Sequence, residues 1–330
     1  MKVAVIGTGS IGSRYARLLV DTCEVAVLDA DREQAEAVAA SSGASVLADV
    51  EDIGSWGAEA VVIATPAASH CGLARSLAGQ VRLMLIEKPL SSTMEGLDEL
   101  DAELESAGTV ARVVSNMRLH PGPATLCANR HRIGKIYCAR AHFGQWLPGM
   151  RPHRDYRNMY CASAADGGGV IFDCIHELDY LAWMLGSITS SSAQARQLSD
   201  LEIDGPDWSS LILEHEGGAI SEIHLDYLQR FQRRGCEVVG SEGTLLWTNE
   251  GTNPFSCQVR YFDAGENQWH VLIDGPEMSP DDMYREMLDL FLVGDPDGRL
   301  SSVGEAARVS RIAYESGRTL GAGQVDQNHG

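Results

Sequence analysis

A strand that runs straight into glycines constrains this chain more than any other feature. Val3–Ile6 is an apolar run that leads directly into Gly7-x-Gly9-x-x-Gly12. Residues 13–20 carry a helix-compatible pattern, and a second apolar run, Val25–Leu28, closes at Asp29, 17 residues past Gly12. Strand, glycine turn, helix, strand and acidic residue, in that order, make a dinucleotide-binding unit. Gly7 permits the tight turn, Gly9 lets backbone approach a pyrophosphate, and Gly12 lets the helix pack closely on the strand. Ser10 and Ile11 open the helix, where free N–H groups and the positive end of the helix dipole meet phosphates. Asp29 is expected to accept from the ribose hydroxyls and repel a 2′-phosphate, favouring NAD over NADP. Arg32 nearby works against that preference.

The length of 330 residues suits two domains and a sizeable core. A hydrophobic content of 44% with 22% charged residues is ordinary for a soluble globular protein. The formal charge of −20 argues against nucleic acid and anionic membranes as partners, because their phosphate fields repel such a surface. No apolar run approaches the roughly 18 residues of a membrane span. Lys2 is followed at once by a strand the fold needs, so no signal peptide is expected and a cytoplasmic location is. The eight cysteines are scattered without a CxxC pair, so they read as small buried side chains and no metal site is expected.

Strands and helices alternate in the first third. Val3–Ile6, Val25–Leu28, Ala60–Ala64, Leu83–Ile86 and Val110–Val114 read as buried parallel strands. Ile11–Val20, Asp31–Ser41, Ala67–Ala78 and Thr93–Ser106 read as helices, with Asp31 and Ser92 as caps. This predicts a doubly wound parallel sheet, with ligands at the carboxyl ends of its strands. The glycine turn, Thr65-Pro66 and Glu87-Lys88-Pro89 fall there. Beyond His120-Pro121-Gly122-Pro123 the pattern turns strand-rich. Ile136–Phe143, Ala193–Leu198, Ser209–Glu214, Ala219–Leu228, Cys236–Val239, Thr244–Trp247, Gln258–Phe262 and Trp269–Ile273 are expected as strands. In the fourth of these, Ile223, Leu225 and Tyr227 alternate with Glu222, His224 and Asp226, as in an antiparallel sheet with one covered face. Helices at 175–185, 281–292 and 303–316 would cover it. The expectation is an N-terminal α/β domain over 1–119 and a C-terminal α+β domain over 120–330 with an open, mainly antiparallel sheet. The C-terminal helices are free to pack back on the first domain, and the polar tail, 321–330, is expected to fray.

Two places carry chemistry. Lys88 ends the fourth strand, where it can donate a proton to a forming alkoxide or hold a sugar hydroxyl. Further on, Asp166 and three glycines, Gly167-Gly168-Gly169, precede Asp173-Cys174-Ile175-His176. The glycines allow close backbone approach to a ligand. Asp173 reads as a helix cap, with His176 one turn later on the same face and titrating near neutrality. Lysine, imidazole and carboxylate would then converge on one hydroxyl. Read structurally instead, Lys88 is a surface lysine, Asp173 only caps and His176 only packs.

With these motifs in order, the chain resembles the Gfo/Idh/MocA oxidoreductases, the glucose–fructose oxidoreductase and inositol dehydrogenase family. The resemblance covers nearly the whole chain. It rests on Gly7-Thr8-Gly9-Ser10-Ile11-Gly12, Ala64-Thr65-Pro66 with His70, Glu87-Lys88-Pro89, Arg118-Leu119-His120-Pro121, and Gly167-Gly168-Gly169 leading to Asp173 and His176. It implies a Rossmann domain followed by an open antiparallel sheet. Lys88 and His176 match the family residues that act at the carbon exchanging hydride with nicotinamide C4. Thr65, Pro66, His70 and Glu87 join the implied cofactor site, and Arg118 the substrate site. Many members space aspartate and histidine as DxxxH; here the spacing is one residue shorter, which weakens the catalytic role of Asp173. The runs around Trp146 and 151–157 look like a branch found among bacterial surface-sugar and nonulosonate pathway enzymes.

Arg151, Arg154 and Arg157 cluster within seven residues, together with His153 and Tyr156. They either grip a carboxylate or phosphate on the substrate, or pair with the acidic surface or order a loop, and the two readings stand level. Trp146 and Tyr160 either stack on a sugar face or pack. The expected activity is NAD(H)-dependent hydride transfer on a sugar-like polyol, in a homo-oligomer such as a dimer or tetramer. An NAD-retaining epimerase, lyase or glycosidase, and a sugar- or NAD-sensing protein without catalysis, are the alternatives.

Overall fold

The structure is a computed structural model that describes residues 1–163, 167–250, 256–275 and 279–317. Asp166 and the tail over 321–330 lie outside the described residues. The chain divides into two compact units, Met1–Leu119 with Ser279–Arg308, and His120–Met278 with Val309–Gly330.

The elements up to Leu119 are β1 (Lys2–Ile6), α1 (Ser10–Leu19), β2 (Glu24–Leu28), α2 (Arg32–Ser42), β3 (Ser45–Val46), α3 (Asp52–Trp56), β4 (Ala60–Ile63), α4 (His70–Ser76), β5 (Leu83–Ile86), α5 (Leu100–Ser106) and β6 (Val110–Val113). The second unit holds α6 (Pro121–Asn129), β7 (Ile136–Gly144), α7 (Leu147–Met150), α8 (Val170–Asp173), α9 (His176–Leu185), β8 (Ile188–Arg196), β9 (Trp208–His215), β10 (Ile220–Asp226), β11 (Arg233–Gly240), β12 (Gly243–Glu250), β13 (Cys257–Asp263) and β14 (Gln268–Asp274). Then α10 (Pro280–Leu292), β15 (Ser301–Ser302) and α11 (Val303–Gly317) follow, the last passing from the first unit into the second at Arg308.

The first unit is a seven-stranded sheet in the order β15-β6-β5-β4-β1-β2-β3, parallel throughout except for β15 on β6. Its central strands are apolar on both faces because both are covered. Val3, Ala4 and Val5 and all of β4 have no exposed surface. The strand order reverses beside β1, which places the ligand crevice outside the carboxyl ends of β1 and β4. Met287, Leu288 and Phe291 of α10 join one side of this core, and Val303, Ala306 and Ala307 of α11 the other.

Local chemistry sets the boundaries. Asp31 caps α2 by accepting from the Gln34 N–H at 3.2 Å, and Gly43 ends that helix at φ +87°. The helix expected from Thr93 begins only at Leu100, and Ser92 does not cap it. The reason is Gly96, left-handed at φ +64°, whose carbonyl accepts from the Arg75 guanidinium at 2.5 Å. The helix expected over 67–78 opens as a 3₁₀ turn and turns α-helical at His70. The short β3 and α3 add to the expected elements.

The second unit is an eight-stranded sheet in the order β14-β13-β12-β11-β7-β10-β9-β8. The pairing is mainly antiparallel, as expected, with one parallel pair, β10 on β7. Helices α6, α8 and α9 cover one face. Gly122 at the start of α6 lies so close to Trp247 of β12 that a Cβ there would sit 2.3 Å from its ring, and Trp247 is fully buried. Asp226 departs from the alternation: it is buried, and accepts from His224 at 2.9 Å and from the N–H groups of Leu228 and Gln229.

Candidate active site

The glycine loop of the first unit shows what each glycine is for. Gly7 stands at φ +90°, where a Cβ would lie 2.5 Å from the Ala64 carbonyl oxygen, so the β1 and β4 loops touch. A Cβ on Gly12 would lie 1.8 Å from the Gly7 carbonyl oxygen, so α1 packs directly on the turn. A Cβ on Gly9 meets nothing within 4 Å. Gly9 heads α1 with no side-chain cap, so Ser10 and Ile11 begin the helix under open space. That cradle fits a pyrophosphate by the chemistry of its donors.

Asp29 stands beside the loop and is bonded to it. Its Oδ2 accepts from the Thr8 N–H at 2.5 Å, from the Thr8 hydroxyl at 2.8 Å and from Gln34 Nε2 at 3.4 Å, while Oδ1 accepts from the Asp31 N–H at 3.0 Å. Burial alone would raise its pKa, but the N–H groups of Thr8 and Asp31 and the side chains of Thr8 and Gln34 outweigh it and hold the carboxyl below its ordinary value. Oδ2 is saturated by the loop, and Oδ1 keeps acceptor capacity. Arg32 points elsewhere: it is exposed and paired to Glu36 at 2.9 Å.

The β4 and β5 loops are tied together. His70 is 1% exposed, with Nε2 2.8 Å from the Thr65 carbonyl oxygen and Nδ1 3.0 Å from that of Pro89. Burial pushes its pKa down, against the pull of these carbonyls. His70 is therefore a fastener between Thr65-Pro66 and Lys88-Pro89, and the structure gives it no open face for a cofactor. Thr65 Oγ1 bonds Ser69 Oγ at 2.7 Å. Glu87 accepts from the Tyr15 hydroxyl at 2.5 Å and from the Lys88 N–H at 2.9 Å. Burial raises the Glu87 carboxyl, against the lowering effect of the Tyr15 bond and the Lys88 charge. Lys88 is half-buried, directly after β5 and joined to Pro89 by a cis peptide bond. Arg118 is buried at 1% exposure and paired with Glu305 at 3.5 Å, so it has a structural partner inside its own unit.

In the second unit the cap expected at Asp173 is corrected. Asp173 ends α8, and α9 starts at His176 after the Cys174-Ile175 link, with Ile175 in the cap position. The helix breaks between them, so helical spacing does not set how Asp173 and His176 face. The Asp173 carboxylate instead accepts from the Tyr160 hydroxyl on Oδ1 and from the Tyr227 hydroxyl on Oδ2, the latter at 3.2 Å. Both Asp173 and His176 are half-buried.

The arginine cluster splits. Arg157 pairs with Asp155 at 2.7 Å and Glu202 at 2.9 Å, which raises its pKa and makes it an organiser of its loop. Arg154 is exposed, and no ion pair engages its guanidinium among the described residues. The Tyr156 hydroxyl accepts from the Glu202 N–H at 3.2 Å. The Arg230 guanidinium stacks on Trp146, 3.5 Å from the ring centroid. Tyr15, Tyr227 and Arg230 had no signal in the sequence, because each meets its partner only across the fold. Among the described residues no cluster of His, Cys, Asp or Glu has the arrangement of a metal site.

Fold and loops thus define a two-unit dinucleotide-binding protein with a lysine at a neighbouring strand end. The model of the oxidoreductase family with an NAD-binding Rossmann fold matches residues 1–115, and that of the GFO/IDH/MocA C-terminal domain matches 127–246. Inositol 2-dehydrogenase 2 of Paenarthrobacter aurescens is 31% identical over 268 residues, covering 74% of each chain. The crystal structure of GenD2 from gentamicin A biosynthesis in complex with NAD superposes with a TM-score of 0.75 at 25% identity, covering 98% of this chain and 95% of that one. Biliverdin reductase of Synechocystis with bound biliverdin and NADP+, at 17% identity and a TM-score of 0.75, shares the fold over 97% of this chain and 99% of its own. The chain belongs to the Gfo/Idh/MocA family and is an oxidoreductase with an NAD-binding Rossmann domain.

Proposed function

We propose that this chain is an NAD-dependent dehydrogenase of a polyhydroxylated, sugar-like substrate, exchanging a hydride between a secondary alcohol carbon and nicotinamide C4. The observation that carries the reading is Lys88, held at the carboxyl end of β5 by the Tyr15–Glu87 bond and the His70 fastener, two strands from the glycine loop. Gly7, Gly9, Ser10, Ile11 and Gly12 would hold the pyrophosphate, Asp29 the adenosine ribose, and Thr65, Pro66, Glu87 and Lys88 the nicotinamide side. The bound nicotinamide supplies the hydride acceptor or donor. Lys88 takes or returns the hydroxyl proton at Nζ. His176 relays that proton or orients the hydroxyl, and Asp173 accepts a hydrogen bond from the substrate. Trp146 stacks on the sugar, while Arg154 and Tyr156 receive the far end of the substrate, an anionic substituent included.

Asp29 favours NAD over NADP, because a 2′-phosphate beside that ionised carboxylate is repelled and Arg32 is engaged with Glu36. None of the eight cysteines is in a disulfide, which supports a reducing compartment, the cytoplasm. A homo-oligomer is supported by the uncovered face of the second sheet, where Ile212, Ile220, Trp269 and Val271 are 40–58% exposed.

Thermal-shift measurements with NAD and NADP, followed by NADH formation on a panel of inositols, free sugars, nucleotide sugars and sugar acids, test the reading. NAD should raise the melting temperature more than NADP by mass action, and one polyol class should give net NADH. Turnover without net NADH would assign the NAD-retaining chemistry instead, and no stabilisation by NAD would contradict the reading outright.

A further inference from the structure

The triple-glycine turn is cut to fit the protein itself. A Cβ on Gly168 would lie 2.4 Å from the Tyr160 carbonyl oxygen and 2.6 Å from that of Ser163. The Gly168 N–H donates to Ser163 at 2.8 Å and the Gly169 N–H to Cys161 at 2.9 Å. Gly169, at φ +90°, backs on Pro206, where a Cβ would lie 2.9 Å from the ring. The turn therefore grips residues 160–163 from behind, and the segment it grips begins with Tyr160.

From that seat the Tyr160 hydroxyl donates to Asp173 Oδ1, while the Tyr227 hydroxyl donates to Oδ2. One phenol on each oxygen stops the carboxylate rotating about its Cβ–Cγ bond and fixes the plane in which it accepts hydrogen bonds. Tyr227 is fully buried, whereas Tyr160 is 40% exposed. Desolvation of the hydroxyls and the adjacent Asp173 charge hold both phenols well above their ordinary value, so both stay protonated donors at neutral pH.

We propose that Tyr160 is a positioning residue which, seated by the Gly167–Gly169 turn and opposed by Tyr227, fixes the orientation in which the Asp173 carboxylate meets a substrate hydroxyl. The proposal rests on the dehydrogenase reading above for the identity of that hydroxyl. The clamp also gives the short Asp173–His176 spacing a rationale: two tyrosines, rather than a continuous helix, aim the carboxylate.

Two measurements on the full chain test it. The first needs no substrate: tyrosinate absorbance of wild type and Tyr160→Phe as the pH is raised to about 10.5, just above the ordinary tyrosine pKa, with circular dichroism confirming the fold. The variant should show the wild-type amplitude, because Tyr160 holds its proton. Loss of one tyrosinate equivalent would overturn the clamp. The second is kinetic, with NAD and myo-inositol or whichever polyol of the panel yields NADH. Tyr160→Phe should lower kcat about 10- to 100-fold with the KM for NAD unchanged, and should add no loss in the Asp173→Asn background. Full kcat, or losses that multiply in the double variant, would overturn the positioning role. If wild type yields NADH with no polyol, the dehydrogenase reading fails by itself, and the absorbance result still decides the clamp.

Discussion

Thr8 and Gln34 share one oxygen of the Asp29 carboxylate and the Asp31 N–H takes the other, so a change at Asp29 reaches the loop and the cofactor together. Asp29→Ser should narrow the preference for NAD over NADP by about 1–2 kcal/mol, the scale of a charged hydrogen bond, as read by calorimetry. The same residue has a pH signature. Its folded-state pKa is depressed, so its stabilisation is complete above the ordinary carboxylate value of about 3.9 and is lost as the pH falls through the folded value. Melting curves taken downward from about pH 5 should therefore fall more steeply for wild type than for Asp29→Ser. Parallel curves would mean that the loop contacts contribute nothing. Glu87 shows the opposite shift, upward through burial, and Tyr15 is what keeps it in place.

At the scale of elements, the glycine loop makes a paired prediction. Gly12→Ala pushes a methyl into the Gly7 carbonyl and should cost about 2–3 kcal/mol or more of stability, as overpacking does. Gly9→Ala places its methyl in open space at φ −60°, so the free protein should melt within about 1 kcal/mol of wild type. Stabilisation by NAD should fall sharply in Gly9→Ala, because the methyl occupies the cradle. Thermal melts with and without NAD check both, and equal behaviour of the two variants would contradict the division of roles. The strands of both sheets were legible in the sequence because burial on two faces, or on one, writes a run or an alternation into neighbouring residues. The two-residue β3 has no period to read. The late start of α5 depends on Arg75 binding Gly96 from 21 residues away, which no local pattern records. Asp173 was misread as a cap because the break at Cys174 is a tertiary matter, and its tyrosine partners lie 13 and 54 residues off. The positions of Lys88, Asp29 and the glycines at strand ends were legible, because strand ends are what the pattern reveals.

Over the whole molecule, the charge of −20 and the binding chemistry stand apart. The acid is spread over the surface in pairs such as Arg14 and Arg17 with Asp281, while Arg154 is exposed without an ion pair among the described residues. Among the described residues no helix is long and apolar enough to cross a membrane. The account stands on Lys88, directly after β5 of the first unit, moving the hydroxyl proton. NADH formation by Lys88→Ala, with the polyol that wild type oxidises, measures this most directly. The variant should melt like wild type and be stabilised equally by NAD, yet lose about 10²–10⁴-fold in kcat, the worth of a positioned acid–base group. A Lys88→Ala protein that turns over at the wild-type rate would contradict the account.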